Sequence, residues 1–142
     1  MGASSREILF TSGATESNNL ALIGYAMRNK KKGNHIIISE VEHISIHNIA
    51  KYLERNGFEI SKVPVDQYAR VDPKKLESRI TDKTILASIG YGSNEVGTLQ
   101  PMEEICQVLK NKGIAIHTDA VAAEGLVPMD VNKLPEIGRA HV

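Results

Sequence analysis

Phe10-Thr11-Ser12-Gly13-Ala14-Thr15-Glu16-Ser17-Asn18-Asn19 reads as the end of a strand, a tight turn and the opening of a helix. Residues 7–11 carry Ile8, Leu9 and Phe10 and suggest a short buried strand, and Gly13 permits the turn. Leu20, Ile23, Gly24 and Met27 recur at helical spacing, so a helix is expected from about Thr15. The first amides of such a helix have no partners within it, and its dipole is positive at that end. A phosphate can then sit on Ala14 and Thr15, with the Thr15 hydroxyl as a further donor. The competing reading is a plain helix start, with a Thr or Ser side chain as N-cap and Glu16 favouring the first turn. The motif alone does not separate the two.

Outward from this stretch the chain alternates strand and helix with short polar connections, an α/β pattern. Strands are expected over 35–39, 59–63, 84–90 and 114–118, and helices over 44–56, 73–79 and 101–112. Pro73 and Pro101 suit first-turn positions, and Gly57 and Gly113 fall just past helix ends. Ile36-Ile37-Ile38 and Thr84-Ile85-Leu86-Ala87 are continuous rather than alternating, as expected of strands covered by helices on both faces. No internal repeat, low-complexity segment or linker is visible.

The 142 residues are 42% hydrophobic and 24% charged, which suits one soluble domain or part of one. Lys plus Arg and Asp plus Glu number 17 each, so no net field recruits nucleic acid or an anionic membrane. Lys30-Lys31-Lys32 is read as a solvated helix terminus that Gly33 stops. The apolar runs are of strand length, far short of the ~20 residues a membrane span needs, and no secretory signal is seen. A single cysteine, Cys106, rules out an internal disulfide and fits a reducing, cytoplasmic compartment.

In open α/β sheets ligands gather beyond the carboxyl ends of the strands. Four places there carry chemistry: Ala14 and Thr15, Glu42-His43, Ser93-Asn94-Glu95, and His117-Thr118-Asp119-Ala120. A phosphate cradle, an imidazole, a carboxamide and a carboxylate would meet on one rim. That set matches the needs of pyridoxal phosphate: an anion site, a flat ring to stack on the pyridine, a donor for its phenolic oxygen and an acid for its ring nitrogen.

With those residues in view, the chain resembles the cysteine desulfurases of the NifS/IscS type in the class V aminotransferase family. The likeness rests on EILFTSGATESNNLAL (7–22), SEVEH (39–43), SNEVGTLQP (93–101) and HTDAVAAEGLVPMDV (117–131), in the family's order, and extends to about Leu134. It implies fold type I of the pyridoxal phosphate enzymes: a three-layer sandwich around a mostly parallel sheet, of which residues 1–135 are part of the large cofactor-binding domain. It further implies a homodimer that converts L-cysteine to L-alanine. The sulfur passes as an enzyme persulfide to sulfur-acceptor or iron–sulfur scaffold proteins. By the same resemblance Ala14 and Thr15 are the phosphate-binding pair, and His43 is the catalytic histidine that stacks on the cofactor and moves protons. Asn94 bonds the phenolic oxygen, and Asp119 pairs with the ring nitrogen. The single histidine of Glu42-His43 favours this group over SufS-like relatives, which usually pair two there.

The sequence also departs from the family. Ala122 stands where a glutamine usually reaches the phenolic oxygen, a bond alanine cannot make, and Ser93 replaces the first asparagine of N-N-E. None of the eleven lysines follows a histidine, so the family's S-x-H-K lysine has no counterpart, and its N-terminal segment is missing as well. The chain is therefore expected to be an internal fragment, inactive and marginally stable alone, with residues 136–142 (EIGRAHV) a tail foreign to the domain. Cys106 lies in the apolar stripe of its helix with Ile105 and Leu109, which marks a buried inert thiol rather than the persulfide carrier. His43 and His47 share a helical spacing that suits a metal, but no third ligand accompanies them and no metal is expected. The alternatives are another class V enzyme, such as a selenocysteine lyase or small-amino-acid aminotransferase, and a noncatalytic phosphate-binding α/β domain. The absence of G-x-G-x-x-G and G-x-x-x-x-G-K-[ST] weakens the latter.

Overall fold

Ile36, Ile37 and Ile38 are all buried, yet they serve two layers, because successive side chains on a strand point to opposite faces. Ile36 and Ile38 pack with Leu22, Ile46, Ile49, Leu53 and Leu86, whereas Ile37 packs with Leu76, Ala87, Ile105, Leu109 and Ile116. The computed structural model, which describes residues 2–93, 95–130 and 138–140, is thus a three-layer α/β sandwich, as the continuous apolar runs imply.

The elements follow in the order α1 (Ala14–Asn29), β1 (His35–Ser39), α2 (Ile44–Arg55), β2 (Glu59–Val63), α3 (Pro73–Ser78), β3 (Thr84–Ser88), α4 (Met102–Asn111), β4 (Ala115–Asp119) and β5 (Gly138–Ala140). The strands form one parallel sheet ordered β2-β1-β3-β4-β5. Helices α1 and α2 cover one face, and α3 and α4 the other. The chain moves outward from β1 to β2 and then returns to lay β3 on the opposite side of β1. The connection after β1 enters α2 on one face and the connection after β3 enters α4 on the other, so a crevice opens beyond the carboxyl ends of these two strands.

Local chemistry sets the element ends. Asp72 caps α3 by accepting from Lys74 N at 2.9 Å, with Pro73 at the first helical position. Gly57 and Gly113, at φ 84° and 69°, turn the chain out of α2 and α4, and Phe58 N and Ile114 N return to the carbonyls of Leu53 and Leu109. On the edge strand β2, Glu59 and Lys62 face solvent, which discourages pairing with another chain. Cys106 is buried beside Ile105 and Leu109, as its place in the apolar stripe implies.

Three expectations are corrected. Residues 7–11 form no strand: Ser5–Glu7 is a 3₁₀ turn, and Ile8, Leu9 and Phe10 stand 45%, 69% and 92% exposed. Extended backbone becomes a strand only where a neighbour completes the ladder, and none of the described strands pairs with it. Gly33 does not stop α1, which ends at Asn29; it permits close approach, since a Cβ there would lie 2.2 Å from the Lys83 carbonyl oxygen. Lys30 is not simply solvated, for its ammonium donates to the Asn56 carbonyl at 2.6 Å and stands 5.3 Å from the centre of the Phe58 ring. Of residues 136–142 only Gly138–Ala140 is described, and it pairs with β4 as a strand that the sequence reading did not anticipate.

Two glycine substitutions separate these roles. Gly33→Ala is expected to cost about 1–3 kcal/mol, because backbone must move to admit the methyl group. Gly24→Ala, where a Cβ meets nothing within 4 Å on α1, should gain about 0.5–1 kcal/mol. Urea denaturation of both variants checks the pair, and equal effects would contradict the close approach at Gly33.

Candidate active site

The turn before α1 leaves its amides open. The N-cap is Gly13, which has no side chain to fold back on the helix, and the first backbone bond runs from Ser17 N to Gly13 O at 3.1 Å. Thr11, a possible cap, instead donates its hydroxyl to Gly13 O at 3.1 Å and meets Ser17 Oγ at 2.7 Å. The Glu16 carboxylate turns back to Ser12, accepting from its N–H at 2.7 Å and its hydroxyl at 2.6 Å, and these bonds hold it below the usual glutamate range. The plain side-chain cap is therefore not what the chain builds. The amides of Ala14 and Thr15 precede the first intrahelical bond, and the Thr15 side chain is exposed.

One turn further along α1, Asn18 is completely buried. Its Nδ2 donates to Asp119 Oδ2 at 2.9 Å and to Ser45 Oγ at 3.2 Å. Ser45 in turn serves His43: its N–H donates to His43 Nδ1 at 3.2 Å, and its hydroxyl lies 2.8 Å from the same nitrogen. A backbone N–H can only donate, so Nδ1 is the accepting nitrogen and the neutral ring carries its proton on Nε2. His43 is the N-cap of α2 and not a member of it. This corrects the helical spacing assumed for His43 and His47. Among the described residues no group of three or more His, Cys, Asp or Glu side chains could hold a metal ion.

Asp119 ends β4, half-buried, with its Oδ1 accepting from Val121 N at 3.1 Å. Its carbonyl accepts from Tyr91 N at 2.8 Å, and the Thr118 hydroxyl donates to Ile89 O at 2.6 Å, which pins the end of β4 to the end of β3. His117, two residues earlier, is buried against Ser88 Oγ at 2.9 Å, and burial lowers its pKa to about 4 against the pull of Asp119. Ala122 is half-buried in the turn after Asp119. Asn94 lies outside the described residues. The loop that carries it is tied down on both sides of that position: Ser93 N donates to Thr98 O at 3.0 Å and Gly97 N to Ser93 O at 2.8 Å. The buried Gln100 then spans to the 69–71 turn, donating to Ala69 O at 2.7 Å and accepting from Val71 N at 2.8 Å.

Glu42 fills the crevice between β1 and β3. Its Oε1 accepts from the Ser39 hydroxyl at 2.5 Å and from Gly90 N at 2.8 Å. Burial raises its pKa to about 7, the Ser39 and Gly90 bonds opposing and the Asp119 charge adding to the rise. Asn18 and Ser45 were not singled out by sequence, and Glu42 was named only together with His43, with no role of its own. A signal for Asn18 was present, since a poor helix former stands on the inward face of α1.

The two most strongly shifted groups, His117 and Glu42, oppose each other in acid. Between pH 6.5 and about 4 the unfolded chain holds a proton on His117 that the folded chain lacks, so the imidazole weakens the fold as pH falls. Between about pH 7 and 4.5 the folded chain holds a proton on Glu42 that the unfolded chain lacks, so the carboxyl strengthens it. Glu42→Gln removes the second effect. Relative to the parent chain, this variant should lose about 1.4 kcal/mol per pH unit through that window. Urea unfolding at several pH values checks this, and parallel pH curves would contradict the placement of Glu42.

Comparison with known proteins accords with this geometry. Cysteine desulfurase IscS 1 of Archaeoglobus fulgidus is 51% identical over 128 residues, which are 90% of this chain and 33% of that protein. A solved NifS-like protein superposes with a TM-score of 0.90 at 39% identity, over 94% of this chain and 37% of that one. SspA in complex with cysteine gives a TM-score of 0.90 at 34% identity, over 94% of this chain and 39% of that one. The chain spans about a third of the length of the curated relatives it matches. The model of the family described as aminotransferase class-V matches residues 1–135. With the parallel sheet, the open start of α1 and the Asp119 tie already in place, that match settles the family: the chain belongs to the class V aminotransferases.

Proposed function

We propose that the chain is the cofactor-binding core of a cysteine desulfurase that uses pyridoxal 5′-phosphate. The observation that carries this reading is the Asp119 carboxylate, fixed by a buried amide on the same helix whose first amides stand open. The residues fit the cofactor. Ala14 and Thr15 would hold its phosphate at the positive end of α1, and Asp119 would pair with the ring nitrogen. His43 is exposed and, with Nδ1 engaged by Ser45, has Nε2 left to stack beside the ring and to hold or pass a proton. Asn94 would meet the phenolic oxygen, and Ala122 supplies no second donor there. When bound, pyridoxal phosphate supplies the electron sink for carbanion chemistry at the substrate α-carbon.

In this reading the whole enzyme is a cytoplasmic homodimer that converts L-cysteine to L-alanine and passes the sulfur as a persulfide to acceptor or iron–sulfur scaffold proteins. The names of the matched relatives and the cysteine complex among the solved neighbours support the substrate class. The 142-residue chain alone is inactive, since no lysine follows a histidine and Cys106 is buried. Among the described residues no helix is long and apolar enough to cross a membrane.

Expression of the full-length gene with pyridoxal phosphate, followed by the visible spectrum and an assay of alanine and sulfide on adding L-cysteine, tests the proposal. A bound-cofactor band that responds to cysteine with both products formed is expected; absence of bound cofactor contradicts it. In the same protein Ala122→Gln should shift that band and tighten cofactor binding by about fivefold, the effect of one added hydrogen bond of ~1 kcal/mol. An unchanged band and affinity would remove position 122 from the site.

A further inference from the structure

Glu42 is used by neither the phosphate cradle nor the ring-nitrogen contact, yet it sits at the crevice where the strand order reverses. The residue is only 8% exposed. Its Oε1 is bonded to Ser39 and Gly90, while Oε2 is buried without a hydrogen-bond partner among the described residues. The missing side chain of Gly90 brings two groups close to one point: a Cβ there would lie 3.5 Å from Glu42 Oε2 and 3.9 Å from the Asp119 carbonyl oxygen. A buried carboxylate oxygen without a donor is costly, whereas a neutral acid keeps only an O–H to be accommodated. Among the described residues no lysine or arginine pairs with Glu42.

We propose that Glu42 is the proton-holding carboxyl of this site: it keeps its proton in the crevice beside Asp119, where its Oε2 meets no donor among the described residues. The groups that bear on this are few. Burial is the main influence keeping Glu42 neutral, the Ser39 and Gly90 bonds oppose it, and Asp119, from the end of β4, adds a smaller push the same way. His117 on β4 is itself held neutral by burial. His47 on α2 lies against the backbone of Glu40 and Glu42 and is lowered chiefly by burial, and His43 follows Glu42 directly in the chain. Loss of the negative charge on Asp119, as when a cation settles against it, weakens the hold on the proton. Burial is unchanged by that, so the proton leaves at a lower pH than before; when it does, the electron pair of the Glu42 O–H bond stays on the carboxylate and the proton passes to water. The inference rests on Asp119 as the cation-facing carboxylate but needs no cofactor, so its failure is separate from failure of the proposed activity.

The test is a carbon-13 titration of glutamate carboxyls in this chain, with the Glu42 signal assigned by its loss in Glu42→Gln. The Glu42 midpoint is expected near 7, apart from the exposed glutamates. Asp119→Asn, which removes the negative charge as a cation would, should move it down, and Ser39→Ala, which removes a donor to the ionised form, should move it up. Either variant suffices if the other does not fold. A midpoint among the exposed glutamates overturns the proposal, as does one that Asp119→Asn leaves in place while the dispersed amide spectrum shows an intact fold. A merely structural Glu42 would not follow the charge at Asp119.

Discussion

The amide of Asn18 holds three elements at one point. One nitrogen on α1 reaches the carboxylate at the end of β4 and, through Ser45, the imidazole that caps α2. Left unbonded, the buried Nδ2 would cost about 1–3 kcal/mol, so its two bonds fix the arrangement, while Asn18 Oδ1 is buried without a partner among the described residues. Because Asn18 lies one turn into α1, the bond to Asp119 also sets where the first amides of that helix stand. Anion site, carboxylate and imidazole thereby become one object rather than three separate motifs.

The sheet supplies the other constraint. Reversal of strand order between β1 and β3 opens the crevice, and Glu42 closes its floor by bonding the ends of both strands. A small difference in environment then separates two carboxyls. Glu42 has two donors on one oxygen and none on the other in a dry setting, while Asp119 is half-exposed with Asn18 and Val121 as donors. Burial with a donorless oxygen favours the neutral acid at Glu42, whereas Asp119 has a donor on each oxygen.

Much of this was legible in the residues. Runs such as Ile36-Ile37-Ile38 mark doubly covered strands, and strands β1 and β2 fall at the expected positions because apolar runs bounded by turn residues leave few alternatives. His43 and Asp119 could be named as rim residues because they lie just beyond β1 and at the end of β4, whereas Ala14 and Thr15 were reached through an expected strand that does not form and owe their place to the start of α1. The misses share a cause. Residues 7–11 have the composition of a strand but no ladder partner among the described residues, and pairing is a property of neighbours rather than of the segment. Asn18, Ser45 and Glu42 matter through contacts 27 to 101 residues apart in the chain, which no local pattern encodes. Gly33 likewise answers to the Lys83 carbonyl, fifty positions away in sequence and adjacent only after the sheet forms.

The opening of α1 and the Asp119 carboxylate are proposed to receive one ligand together, bearing both a phosphate and a pyridine. Pyridoxamine 5′-phosphate needs no covalent attachment and is the suitable probe, and nitrogen-15 amide spectra of the chain during its addition are the direct measurement. Saturable shifts are expected at Ala14 and Thr15 and at the side-chain amide of Asn18, with Asp119→Asn abolishing the Asn18 response. Inorganic phosphate alone should move only the first two. Saturation without movement at Ala14 and Thr15, or identical effects of phosphate and of the probe, would contradict it.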